Sequence, residues 1–281
     1  MICMSEGTEG FPQSSSSLLF QPTETEELTI TNVPSADEIR FSCPGDFYTA
    51  FHAPRYERLL KLIDRYSIAQ NSSVLDVGSS KLTELIHSSF GCKVDSLGLA
   101  PVGYGKCGEY YQFDLNRVGD VSAWPADLPS YDLIVFAEVI EHLYTAPELV
   151  LAFLRAHMNP DAVLIIQTPN AASLANRVWL LFGRNPYEKI RANQRNPGHF
   201  REYTVRELSD YATDGELRVD ACTVEYYLDA SYKARVSKTG VLQHSAPTKA
   251  TRLLHRLYLC LFAVLPKSLC PGITVVLQSI D

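Results

Sequence analysis

The sequence predicts an α/β fold with a largely parallel sheet, and three observations carry that prediction. Short apolar runs recur along the chain, and the first, "SVLDVG" at 73 to 78, ends on a glycine. Stretches with helical periodicity separate these runs, as crossovers between parallel strands require. The clearest run, "YDLIVFA" at 131 to 137, reads as a buried strand. No internal repeat is visible.

The elements follow in order. Residues 1–42 are polar, Ser- and Glu-rich and without periodicity, which predicts a disordered acidic tail. A single domain is expected over 43–281. It opens with a helix in which Leu59, Leu60, Ile63 and Tyr66 share one face. The strand "SVLDVG" and the helix "KLTELIHSSF" come next, followed by strands at "CKVDSLGL" and "EYYQFDL". "YDLIVFA" is the fourth strand. "TAPELVLAFLRAHM" follows as a helix, with Thr145 and Glu148 spaced as a capping box. "AVLIIQTPN" (162 to 170) is a fifth strand, and "AASLANRVWLLFG" another helix. Thr204 and Glu207 form a second capping box at the head of "TVRELSDYAT". Two strands, "LRVDACTVEYY" and "GITVVLQSI", close the chain around the apolar, basic-flanked helix "TKATRLLHRLYLCLFAVL". The stretches 183–203 and 240–268 read as lid-like insertions.

Composition excludes several classes. Of the net charge of −7 over 281 residues, residues 1 to 50 contribute all, with eight acidic side chains against Arg40. The body is therefore neutral, which argues against a nucleic-acid partner. Seven cysteines without a C-x-x-C pair are neither a zinc motif nor a disulfide framework, so a cytoplasmic location is expected. The longest apolar stretch, at 257 to 265, is too short to span a membrane. The helix around it has two readings. It is a core or lid helix, or Arg252, His255 and Arg256 rest beside its apolar face on a membrane surface.

The first strand–turn–helix is where such a fold holds an adenosine-containing ligand, with Gly78 allowing the sharp turn. The order "VLDVG", "FDLN", "YDLIVFAEVIEHL", "AVLIIQTPN" resembles the class I S-adenosylmethionine-dependent methyltransferases over roughly residues 50 to 230. The subgroup with ubiquinone-pathway O-methyltransferases is the nearest in pattern. The resemblance implies a Rossmann-like, seven-stranded, mostly parallel sheet with helices on both faces. It implies that Asp76 and Gly78 cradle the methionine part of the cofactor, that Ser80 and Gly98 also lie at the cofactor, that Asp114 and Leu115 lie beside the adenine, and that Glu138 opens the substrate side. Two positions depart from the family. Ser79, Ser80 and Lys81 stand where further glycines are usual, and Gly98 stands where an acidic residue usually binds the ribose hydroxyls.

"EVIEHL" at 138 to 143 places two carboxylates and an imidazole within five positions, directly after a buried strand. These groups favour a helix N-terminus, or they form an acceptor-rich pocket whose repulsion a cation or a shared proton relieves. Taken with "TPN" and the later His199 in "NPGHFREYT", the pattern resembles the small-RNA 2′-O-methyltransferases. That resemblance implies a divalent metal on Glu138, Glu141, His142 and His199. Mg²⁺, Mn²⁺, Fe²⁺ and Zn²⁺ all suit such ligands. Glu141, His142 and His199 are the candidate catalytic residues. The expected function is methylation of a hydroxyl on a small molecule, a glycan or a lipid-linked acceptor. A binding protein on a degenerate scaffold and an RNA 2′-O-methyltransferase are the alternatives.

Overall fold

The computed structural model describes residues 33–100, 107–192, 197–236 and 242–280. Nine strands occur among them: β1 (Ser73–Val77), β2 (Lys93–Gly98), β3 (Tyr110–Gln112), β4 (Tyr131–Ala137), β5 (Met158–Pro169), β6 (Leu217–Glu225), β7 (Lys233–Val236), β8 (Leu242–Ser245) and β9 (Gly272–Ser279). Seven form one sheet in the order β3-β2-β1-β4-β5-β9-β6, and β7 and β8 make a separate hairpin. Strands β1 to β5 pair in parallel, while β9 runs antiparallel between β5 and β6. The sheet is the predicted Rossmann-like, seven-stranded and mostly parallel one.

Seven helices accompany it: α1 (Ala36–Ser42), α2 (Phe47–Asp64), α3 (Lys81–Phe90), α4 (Pro147–Arg155), α5 (Leu174–Leu181), α6 (Val205–Asp214) and α7 (Lys249–Val264). Alternate residues of each central strand face opposite helical layers. Val74, Val94, Leu133 and Val135 pack with Tyr56, Leu60 and Ile63 of α2 and Ile86 of α3. Leu75, Leu97, Ile134 and Phe136 pack with Phe153 and Leu154 of α4 and Leu208 of α6. Each such buried side chain contributes roughly 1.5–3 kcal/mol of transfer free energy. Both faces of the sheet are therefore closed, which leaves the carboxyl ends of the parallel strands as the place for a site.

Two expectations change. The structured region begins before residue 43, because α1 lies in the stretch assigned to the tail. Ser35 and Glu38 close a capping box on α1, and Ile39 is buried against α2. One apolar anchor in seven residues leaves no periodicity to read. Residues 1–32 of the expected tail lie outside the described residues. Thr145 does not cap α4. Pro147 occupies the first turn, Ala146 is the N-cap without a side-chain bond, and the Thr145 amide donates to Asn116 instead. The box at Thr204 and Glu207 forms as expected. Parts of the two insertion segments, 193–196 and 240–241, also lie outside the described residues. Among the described residues, no helix is long and apolar enough to cross a membrane.

Candidate active site

A cavity of about 850 Å³ opens at the carboxyl ends of β1 and β2 and the start of the segment after β4. Its wall includes Gly78, Gly98, Asp114, Leu115, His142 and Phe200. Gly78 sits at φ +83°, and a Cβ there would lie 2.7 Å from Val139 Cγ2. The turn thus needs glycine for both its backbone and its close approach to the segment after β4. Asp114 caps a short turn through the Asn116 amide, which holds the 114–116 backbone at the wall.

Asp76 and Ser80, expected beside the cofactor, support the turn from behind. Asp76 is 2 % exposed and accepts from the Thr83 hydroxyl at 2.5 Å. Burial pushes its carboxyl up to about 6, against the opposing pull of Thr83, Arg55 and the Ser80 amide. Ser80 is the N-cap of α3, accepting from the Leu82 amide. Gly98 lies on the wall with no side chain, and the Tyr110 hydroxyl stands 3.3 Å from where its Cβ would be. Asp95 is turned away, accepting from the Glu109 amide and the Tyr131 hydroxyl.

The acidic–histidine cluster forms around a 3-10 turn, Ile140–His142, just past β4. Glu138 is the pivot, with φ +58° and its amide donating to the Gln167 carbonyl at 2.7 Å. A left-handed conformation in a non-glycine residue is strained and persists only where its surroundings fix it. The Phe200 amide donates to the Glu141 carbonyl at 2.8 Å, which pins the later loop against this turn. His142 and His199 consequently meet edge to face, with centroids 4.8 Å apart.

The donor chemistry of this pair is specific. His142 Nδ1 contacts the Gly198 carbonyl at 3.0 Å, and His199 Nδ1 contacts Glu202 Oε1 at 3.1 Å. Each Nδ1 therefore donates; neutral His142 presents a lone pair at Nε2, and His199 does so once its Nε2 proton is lost. Burial lowers the His142 pKa, so this ring is neutral at pH 7. Burial opposes charge on His199 too, but the Glu202 bond and the Glu141 carboxyl outweigh it and raise its pKa.

Glu141 is completely buried. The Thr168 hydroxyl donates to Oε2 at 2.9 Å, while Oε1 has no hydrogen-bond partner. Burial, and then the neighbouring Glu138, hold this carboxyl well above the usual range. Ligand atoms of Glu141, His142 and His199 lie within 4.8 Å of one another. An orphaned carboxyl oxygen beside two imidazoles, whose Glu141 and His199 protons a cation can replace, fits a divalent metal.

Glu138, expected as a fourth ligand, is not in that group. Its Oε1 accepts from the Tyr227 hydroxyl at 2.7 Å and lies 3.8 Å from Arg55 Nη1. Arg55 and Tyr227 are the residues that sequence reading missed. Arg55 is 3 % exposed, and its Nε and Nη1 lack hydrogen-bond partners. A buried guanidinium with unused donors, near enough to Asp76 at the end of β1 to act on its carboxyl, fits the carboxylate of an amino-acid cofactor. Its signal was an arginine four residues before Leu59, on a face otherwise buried. Within "TPN", Thr168 holds Glu141, and the Asn170 amide ties Ser268 and Cys270.

Residues 51–221 match the family model described as a methyltransferase domain. Among solved structures, the chain resembles a complex of the Haloferax volcanii Trm112 methyltransferase activator and a methyltransferase. The identity there is 11%, covering 82% of this chain and 90% of that chain, with a TM-score of 0.52. An S-adenosylmethionine-dependent methyltransferase from Clostridium acetobutylicum shows 11% identity over 82% of this chain and 92% of that chain, with a TM-score of 0.49. One from Archaeoglobus fulgidus shows 14% identity over 80% and 94%, with a TM-score of 0.46. At 11% identity the first of these likenesses, with its TM-score of 0.52, shows the fold alone. No curated protein matches the chain. The family model spans more than half of the sequence and takes in the Gly78 turn, the cavity wall and the histidine cluster. The chain belongs to the methyltransferase domain family and is an S-adenosylmethionine-dependent methyltransferase of the class I fold.

Proposed function

We propose that this enzyme methylates a hydroxyl group, with a divalent cation on Glu141, His142 and His199 assisting. The acceptor is a small molecule, a glycan or a lipid-linked compound. The observation that carries this reading is the pair of imidazoles whose ligand atoms converge on the orphaned Glu141 oxygen, with His142 on the cavity wall.

The cofactor supplies a methyl group on a sulfonium sulfur. Gly78, Asp114 and Leu115 line the space for it, and Arg55 offers two unused donors to its carboxylate. Gly98 leaves the ribose without the usual acidic partner, so backbone contacts and the 114–116 turn carry more of its binding. A divalent cation lowers the pKa of a hydroxyl bound to it. The Glu202 carboxylate orients His199, and the Gly198 carbonyl orients His142. As the acceptor oxygen takes the methyl group from sulfur, its proton goes to solvent when a cation occupies both Nε2 atoms; without the cation, Nε2 of His142, neutral at pH 7, is free to accept it.

Calorimetric titration with S-adenosylmethionine, with and without divalent cations, tests the cofactor half. A screen of hydroxylated acceptors that detects S-adenosylhomocysteine tests the reaction. Activity that survives EDTA, Glu141→Ala and His199→Ala removes the metal from this reading.

A further inference from the structure

Helix α5 buries none of its eight residues. Leu181 and the following Phe182 are 81 % and 72 % exposed, and Trp179 is nearly half exposed. Helix α7 rests on the body through a narrow seam, in which Thr251 and Phe262 are buried. His255 and Phe262 lie against Tyr226 in that seam. Its opposite arc presents Leu253, Leu257 and Val264, at 60 %, 60 % and 81 % exposure. Exposed apolar side chains in this number on two helices are uncommon on a soluble monomer.

The two helices share an anchor. The Asn170 side chain, just before α5, donates to the carbonyls of Ser268 and Cys270, just after α7. Both helices therefore leave one corner of the fold. It is the corner from which the 183–192 and 197–203 segments run to the cavity wall at Ile190 and Phe200.

Charge identifies the occupant. Residues 171 to 187 contain Arg177 and Arg184 and no acidic residue. Residues 246 to 269 contain Lys249, Arg252, Arg256 and Lys267 and no acidic residue. This cationic corner belongs to a chain of net charge −7. Basic side chains flank the apolar arc of α7 on one side, while Arg184 stacks over the Trp179 ring at 5.3 Å. Pairing α7 with a second α7 would set cations against cations. An anionic lipid surface satisfies both the exposed leucines and the arginines beside them.

We propose that α5 and α7 dock this enzyme on anionic membrane surfaces, with the cavity mouth held near the interface. The proposal does not depend on the metal or on methyl transfer. Its test is flotation of the full chain with phosphatidylcholine vesicles, with and without phosphatidylglycerol. Binding is expected only with phosphatidylglycerol and should fall as salt rises. Arg252→Gln and Arg256→Gln should each weaken it about five-fold. Leu257→Ser with Val264→Ser should weaken it by ten-fold or more, on the order expected for two lost apolar anchors. Both residues are exposed, so the thermal midpoint of that variant should match wild type. Absence of vesicle binding at low salt overturns the proposal. So does a dimer of the full chain that Leu257→Ser with Val264→Ser dissociates, since the face would then belong to a second copy.

Discussion

The Tyr227 hydroxyl donates a 2.7 Å hydrogen bond to Oε1 of Glu138, and this bond separates two acidic residues that the sequence places together. Glu138 is drawn toward Tyr227 and Arg55, while Glu141 stays with His142 and His199. The division rests on Gly272 in β9, where a Cβ would lie 1.7 Å from the Tyr227 ring. Gly272→Ala should therefore destabilise the fold by about 1–3 kcal/mol, the range for overpacking. Tyr227→Phe in the same background should recover nothing, because the ring remains. Urea denaturation of the two variants checks both points. Recovery by phenylalanine would assign the cost to the hydrogen bond rather than the ring.

The Glu141 carboxyl, buried and raised by burial and by Glu138, holds its proton in the metal-free protein at neutral pH. Glu141→Gln imitates that protonated form. The metal-free variant should lie within about 1 kcal/mol of wild type, as an isosteric neutral replacement does. Added Mn²⁺ or Zn²⁺ should raise the wild-type thermal midpoint, with stabilisation approaching about 2.7 kcal/mol at a hundred-fold excess over the dissociation constant. Glu141→Gln and His199→Ala should lose that increment. An equal metal-induced rise in all three proteins would place the cation elsewhere.

Asp76 sets a different pH dependence. Its folded-state pKa, about 6, lies above the ordinary 3.8 because burial disfavours the charged form. The folded protein therefore binds the proton more tightly than the unfolded chain does. The associated stability is complete below about pH 3.8 and is lost as pH rises through about 6. Its size is on the order of 3 kcal/mol. Asp76→Asn retains an acceptor for the Thr83 hydroxyl and cannot ionise. The stability difference between variant and wild type should thus shift in favour of the variant from about pH 4 to about pH 7 and then level off. A difference that does not vary with pH would mean that Asp76 is solvated or paired more strongly than its surroundings indicate.

The seven strands of the main sheet were legible because short apolar runs are local signals, whereas the β7–β8 hairpin was not read from the sequence. The grouping of Glu141, His142 and His199 was legible because a motif names them, and loop closure at the Phe200 amide makes these three meet. What was not legible depends on partners distant in sequence. Whether Glu138 joins the metal ligands is decided by Tyr227, 89 residues later. The Thr145–Glu148 spacing looked like a cap, but Pro147 fixes the first turn one residue later. Ile39 needed α2 beneath it before its seven residues could be recognised as a helix.

Arg55 is the strongest case, since its local signal, an arginine on an otherwise buried helix face, does not point to a ligand. Its guanidinium is buried, stacks over Tyr56 at 5.0 Å and has Glu138 as its acidic neighbour at 3.8 Å. A buried cation with two donors unused is costly unless a ligand completes it. If the cofactor carboxylate does so, Arg55→Met should weaken S-adenosylhomocysteine binding about ten- to a hundred-fold, the range for a charge-assisted pair. Binding of 5′-methylthioadenosine, which keeps the adenosine but lacks the amino-acid carboxylate, should change little. Calorimetry with both ligands reads the difference directly. Equal losses for the two would make Arg55 a structural support of the turn, and no loss for either would remove it from the cofactor site.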